Sequence, residues 1–155
     1  IIDFCRRLVR EIQGTSYGHV IEFSLNSSES VLDDSLFAEF DPKIIRQVLT
    51  NLLTNAIKYS PGSSTVSFSL NITDKQIVFI VQDYGIGIPK EDQVNLFASF
   101  YRGSNVGNIS GTGLGLAIVK KCVDQHQGEI TLESKLNQGT IFKVTIPRYN
   151  LMGNG

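Results

Sequence analysis

The stretch Asp41–Ser60, DPKIIRQVLTNLLTNAIKYS, decides how the rest of this chain is read. Its apolar residues fall at Ile44, Ile45, Val48, Leu49, Leu52, Leu53, Ala56 and Ile57, two adjacent rows advancing by four. That spacing makes one broad buried stripe on an α-helix. Asp41 suits the cap, Pro42 suits the first helical position, and Ser60-Pro61-Gly62 stops the run. The opposite face carries Gln47, Asn51, Asn55 and Lys58, with Tyr59 beside them. Asn51, Asn55 and Lys58 are spaced by four and three, so they line up along one side. Asparagine is a poor helix former, because its short amide competes for backbone hydrogen bonds. Two of them one turn apart, away from either cap, admit two readings. They are tolerated surface amides, or they offer an amide oxygen to a hard cation, with Lys58 nearby for an anion.

The totals bound the answer. At 155 residues and 41% hydrophobic, the chain is sized for one well-buried domain. A net charge of −1, with 19% charged residues and no basic block, argues against nucleic acid as a partner. Cys5 and Cys122 lie far apart and match no metal or redox spacing, so they read as buried thiols of a reducing compartment. No apolar run approaches the ~18 residues needed to cross a bilayer, and no signal peptide opens the chain. The chain begins inside a helical pattern and reads as a cytoplasmic piece of a longer protein, with no direct membrane contact of its own.

Outward from the Asn-bearing helix, residues Ile2 to Gln13 place Ile2, Cys5, Leu8, Val9 and Ile12 on one helical face. His19–Leu25 alternates as a strand, and a second short strand is expected around Leu36–Phe40. Thr65–Ile72 and Gln76–Gln82 read as a hairpin joined through Thr73-Asp74-Lys75. A short helix is expected near Lys90–Phe97, then a long Gly- and Ser-rich loop over Ser99–Thr112. A helix from about Leu114 to Gln127 follows, with Gly128 as its terminating glycine. Strands Glu129–Ser134 and Thr140–Ile146 close the chain before a frayed tail at 150–155. Helix and strand do not alternate strictly, which predicts an α+β two-layer sandwich: a mixed, mostly antiparallel sheet on about three helices.

Two further segments carry chemistry. Asp83-Tyr84-Gly85-Ile86-Gly87-Ile88-Pro89 follows a hydrophobic strand directly. It is either a tight turn with a capping Asp, or an acid that holds a ligand edge while glycine backbone comes close. Gly111-Thr112-Gly113-Leu114-Gly115-Leu116 opens a helix, where exposed amides suit a phosphate. It is not a dinucleotide fingerprint, since Leu116 stands where a third glycine is needed and no strand precedes it. No G-x-x-x-x-G-K-[ST] occurs, so a P-loop is excluded.

Taken in order, these segments resemble the Bergerat ATP-binding fold shared by sensor histidine kinases, gyrase-type ATPases, and mismatch-repair and heat-shock ATPases. The likeness to histidine kinases is close. Asn51–Ser60 resembles their Asn box, Asp83–Pro89 the first Gly box, and Leu96–Arg102, LFASFYR, the Phe box. Gly111–Leu116 resembles the second Gly box and Gly139-Thr140 the last. The resemblance implies a catalytic domain that binds ATP with Mg²⁺. It assigns Asn55 to the metal with Asn51 assisting, and Lys58 to the phosphates, these three being the catalytic set. Tyr59 would sit against adenine, and Asp83 would accept from its exocyclic amine. Gly85 and Gly87 would let the backbone approach, Ile88 would belong to the nucleotide site beside them, and Thr140 would support Asp83 through a water. Arg102 would contact phosphate or ribose, and Gly111, Thr112, Gly113, Leu114, Gly115 and Leu116 would cradle the phosphates. Phe97 and Phe100 would anchor the lid.

Within that superfamily, a catalytic Glu of the gyrase-type ATPases is replaced here by Asn51, whose amide cannot act as a base at neutral pH. The resemblance therefore implies phosphoryl transfer from ATP to a histidine on a separate helical dimerisation domain, with a response regulator downstream and a homodimeric parent protein. His19 and His126 read as structural or surface histidines, not as the acceptor. Residues 1–14 read as the tail of the dimerisation domain or a linker, and 15–149 as the ATP-binding domain. Two alternatives stand beside it: a serine/threonine protein kinase of the same fold, and a non-catalytic nucleotide-binding module.

Overall fold

The structure is a computed structural model describing residues 1–27, 40–62, 65–107, 109, 111 and 113–148. Its elements are α1 (Ile2–Thr15), β1 (Val20–Ser27), α2 (Pro42–Lys58), β2 (Thr65–Ile72), β3 (Gln76–Asp83), α3 (Gly115–Gln125), β4 (Glu129–Lys135) and β5 (Gly139–Pro147). The strands form one sheet in the order β1-β2-β3-β5-β4. β1 and β2 are parallel, with α2 in the connection between them, as a parallel pair requires a crossover. The other pairings are antiparallel, and β2–β3 is the hairpin expected from the sequence. The result is the mixed, mostly antiparallel sheet of the predicted two-layer α+β sandwich.

Helix α2 is central because its sequence caps it and gives it one broad buried stripe. Asp41 accepts a hydrogen bond from the Lys43 N–H at 2.9 Å and Pro42 opens the first turn. Ile45, Val48, Leu49, Leu52, Leu53 and Ala56 are all buried, while Ile44 and Ile57 pack on the edges of the same stripe. Burying each large aliphatic side chain contributes roughly 1.5–3 kcal/mol relative to leaving it in water. The sheet answers with period-two alternation: Val66, Phe68, Leu70 and Ile72 of β2 face the helices, as do Ile77, Phe79 and Val81 of β3.

Helix α1 belongs to the same core. Ile1, Cys5, Leu8 and Ile12 are buried in it, and Arg46 of α2 pairs with Glu11. Burial pushes the Cys5 thiol up to about 12, in keeping with an inert core thiol. Helices α2 and α3 pack side by side, tied at one end by His126. The Asp41 N–H donates to His126 Nε2 at 3.2 Å, so the ring proton lies on Nδ1, which donates to the Cys122 carbonyl at 3.1 Å. His19 likewise has Nε2 on the Ser60 carbonyl at 2.9 Å. Among the described residues, no helix is long and apolar enough to cross a membrane.

Two expectations change, and two lie largely outside the described residues. The helix expected over Lys90–Phe97 is only a 3₁₀ turn at Gln93–Asn95. Asp92, Asn95 and Ala98 each donate their N–H to the carbonyl three residues earlier, and a short run of Asp, Gln, Val and Asn is too weak to hold α geometry. Helix α3 starts and ends inside its expected bounds, and its left-handed terminus is Gln127, at φ +54°, not Gly128. Of the strand expected at Leu36–Phe40, residues 36–39 lie outside the described residues, and Phe40 is a buried bend. The tail at 150–155 also lies outside them.

Candidate functional site

One cavity of about 370 Å³ opens between α2, the ends of β3 and β5, the start of α3, and residues from Tyr101 to Val106 with Gly111 and Gly113. That volume is within the range of small-molecule sites. Its floor is Asp83, the last residue of β3, paired in register with Thr140 at the start of β5. Asp83 is only 7% exposed and Thr140 5%. Asp83 Oδ1 accepts the Gly85 N–H at 2.9 Å. Burial pushes the Asp83 carboxyl up to about 6, against the opposing pull of the Gly85 and Thr140 backbone N–H groups. The residue thus turns the chain and faces the cavity at once. Gly85 lies behind it: a Cβ there would stand 2.0 Å from the Tyr59 carbonyl oxygen, so only glycine lets the two backbones meet. The Ile86 N–H then donates to that carbonyl at 3.0 Å, fastening the loop to the end of α2.

The α2 wall presents Asn51, Asn55, Lys58 and Tyr59. Asn51 donates its amide NH₂ to the Gln47 carbonyl at 3.0 Å, which leaves its Oδ1 directed at the start of α3. A Cβ placed on Gly115 would stand 3.4 Å from that oxygen and 3.8 Å from Asn55 Nδ2. Lys58 Nζ lies 5.2 Å from the Tyr59 ring centroid. Lys58 Nζ, Tyr59 Oη and Arg102 Nε converge on Gly111, at 3.0, 3.4 and 3.9 Å from a Cβ built there. Arg102 also donates to the Ile109 carbonyl.

Helix α3 begins at Gly115 without a side-chain cap at Leu114, so its first-turn amides and positive dipole end point into the cavity. Gly113 takes φ +74°, and a Cβ there would stand 2.6 Å from the Phe100 carbonyl carbon. Phe100 itself has φ +66° and donates its N–H to the Gly113 carbonyl at 2.9 Å. Gly87, Ile88 and Leu116 also line the cavity, with apolar side chains such as Leu96, Ile118 and Phe142 among its other walls. Of the nucleotide-contact residues named from the sequence, all reach this cavity except Gly85, which backs it, and Thr112, which lies outside the described residues. The two expected lid anchors do not line it: Phe97 packs against the core, and Phe100 is exposed.

The donor set suits Mg²⁺ with a polyphosphate. Among the described residues no group of three or more His, Cys, Asp or Glu could hold a metal. What the cavity offers are amide oxygens, two cationic side chains and a helix N-terminus, which match an ion that keeps its waters and bridges phosphates.

Sequence reasoning missed four polar residues: Asn105 in the cavity lining, and Asp92, Gln93 and Ser134 behind it. Asp92 accepts from Tyr101 Oη and from Ser104, and Asn105 Nδ2 donates to the Gly87 carbonyl at 2.9 Å. Gln93 Nε2 donates to the Ile88 and Ser134 carbonyls. Ser134 alone had a signal: it falls in phase with Ile130 and Leu132, on the inward face of β4.

The family model described as Histidine kinase-, DNA gyrase B-, and HSP90-like ATPase matches residues 40–150. The chain belongs to this family. It is 38% identical to sensor histidine kinase WalK of Bacillus subtilis over 151 residues, 95% of this chain and 24% of that protein. It is 34% identical over 148 residues to the adaptive-response sensory kinase SasA of a Synechococcus strain, 95% of this chain and 38% of that one. The chain therefore spans well under half the length of these relatives. Among solved structures, a mycobacterial sensor histidine kinase, MprB, superposes with a TM-score of 0.76 at 25% identity, covering 97% of each chain. The catalytic domain of histidine kinase ThkA gives 0.74 at 27% identity, covering 94% of this chain and 92% of that one. Fold and family are those of an ATP-binding catalytic domain of the histidine kinase type.

Proposed function

We propose that this chain is the catalytic domain of a two-component sensor histidine kinase, passing the ATP γ-phosphoryl group to a histidine on a separate dimerisation domain. The observation that carries this is the convergence of three distant segments on one cavity: the amide face of α2, the buried Asp83, and the uncapped start of α3. Asp83 accepts from the adenine amine, and Tyr59 lies along the base. Lys58, Arg102 and the amides from Gly111 to Leu116, Thr112 included, hold the phosphates. Asn55, assisted by Asn51, takes the metal. When bound, Mg²⁺ offsets charge on the phosphates. The acceptor imidazole nitrogen attacks the γ-phosphorus as the bond to the β–γ bridging oxygen breaks, and ADP leaves with that electron pair. The chain's own residues position and neutralise; they supply no base.

His19 and His126 have ring nitrogens engaged with backbone, which supports an acceptor located elsewhere. Residues 1–14 are the tail of the dimerisation domain or its connection, with the apolar face of α1 packed into the core of this domain. The parent protein is a homodimer, the domain works in the cytoplasm, and a response regulator takes the phosphoryl group onward. The test is incubation with γ-labelled ATP and a separately produced histidine-bearing dimerisation domain. Acid-labile phosphate on that domain is expected. Label on His19 or His126, or on serine of a partner, sinks the assignment.

A further inference from the structure

The hydroxyl of Ser134 meets three groups. Its Oγ accepts the Ile88 N–H at 2.8 Å, lies 3.0 Å from the Gly139 carbonyl oxygen, and lies 2.8 Å from Thr140 Oγ1. A serine hydroxyl has one proton and two lone pairs. The Gly139 carbonyl can only accept, so the serine proton goes there. One lone pair is taken by the Ile88 N–H. The contact with Thr140 is then satisfied in one way only: Thr140 donates its own proton to Ser134. Thr140 is 5% exposed and lines the cavity beside Asp83. With its proton turned toward Ser134, the Thr140 hydroxyl has only lone pairs left for any further partner.

We propose that Ser134 is a specificity-determining positioning residue that sets the polarity of the Thr140 hydroxyl, making the cavity floor an all-acceptor surface that selects a purine carrying an amine over one carrying a carbonyl. The proposal rests on the nucleotide reading given above and adds to it the residue that enforces the base preference. Without Ser134, the Thr140 hydroxyl rotates freely and donates as readily as it accepts. The floor then tolerates a carbonyl, whether reached directly or through a water.

The test compares ATP with inosine 5′-triphosphate, which differs in bearing a carbonyl at the amine position and a proton on the adjacent ring nitrogen. Affinities are measured by calorimetry for the chain and its variants. In Ser134→Ala the ATP-to-ITP affinity ratio is expected to fall about tenfold, the size of one hydrogen bond gained or lost. ATP should weaken while ITP holds or tightens. Ser134→Cys fills the same space with a weak acceptor and should show the same loss, and Ser134→Thr should keep the ratio. In a Thr140→Val background, Ser134→Ala should leave the ratio unmoved, because the group it acts through is gone. Equal weakening of both nucleotides, or an unchanged effect in the valine background, makes Ser134 a merely structural residue and overturns the proposal. Failure of the parent chain to bind either nucleotide would instead remove the nucleotide reading itself, and this proposal with it.

Discussion

The phenol of Tyr101 donates to Asp92 Oδ1 at 2.6 Å, while Oδ2 of the same carboxylate accepts the Ser104 N–H at 2.8 Å and its hydroxyl at 2.7 Å. One acid thereby holds both sides of Arg102, the cationic residue that the loop carries into the cavity. These hydrogen bonds hold the Asp92 carboxyl below its usual range. Its contribution is present above the unfolded carboxyl value and lost as pH falls through the depressed one. Asp92→Asn should therefore raise protease cutting within 99–107 and weaken ATP roughly three- to tenfold. Unchanged cutting would mean that Asp92 does not hold the loop.

Asp83 predicts opposite effects on stability and binding. Its carboxyl rises from 3.8 to about 6 on folding, so the native state holds the proton more tightly. The associated stability is full below the unfolded value and lost as pH rises through about 6, a penalty of about 3 kcal/mol above that. Asp83→Asn should raise the urea midpoint at pH 8 and change it little below pH ~4. The same variant should lose ATP. In the parent chain, ATP should bind far better than GTP, and its affinity should fall as pH drops through about 6. Equal binding of ATP and GTP would remove the role given to Asp83.

Metal and phosphate contributions separate by variant. For the parent chain, ATP affinity is expected on the order of 10–100 µM with Mg²⁺ and weaker once the metal is chelated. Asn55→Ala should erase most of the difference between the two conditions. Lys58→Ala should weaken ATP about 10–100-fold in both, as expected for a charge-assisted contact. Calorimetry with and without EDTA distinguishes the two patterns.

Gln127 predicts a gain. It takes φ +54° where α3 ends, a conformation that strains an L-residue by roughly 1–2 kcal/mol. Gln127→Gly should stabilise the fold by about 1 kcal/mol after the added chain entropy of glycine is counted, with no effect on ATP affinity. A lower melting temperature would show that the glutamine side chain matters more than its backbone strain.

The sheet, α2 and most of the cavity were legible because they rest on local pattern. Alternation and four-residue spacing state which face is buried, and Asn51 and Asn55 stand out where Glu or Lys would be ordinary. What was not legible depends on distant partners. Asp92 looks like any surface acid until the chain returns at Tyr101 and Ser104. The 3₁₀ turn at Gln93–Asn95 is shaped by a short, weakly helical run that sequence pattern overrates. Gln127 was missed because the glycine beside it offered the easier terminus.

The tie between Asp41 and His126 makes α2 and α3 a pair of tongs. They are pinned at the ends away from the cavity, while Asn55 and the start of α3 form the jaws. From Pro42 to Asn55 the lever arm is about 20 Å at 1.5 Å per residue, so a pivot of about 3° moves a jaw by about 1 Å. The imidazole that joins the two helices thus lies at the far end from the mouth, outside the cavity lining, where a small change of angle is magnified along the whole length of α2.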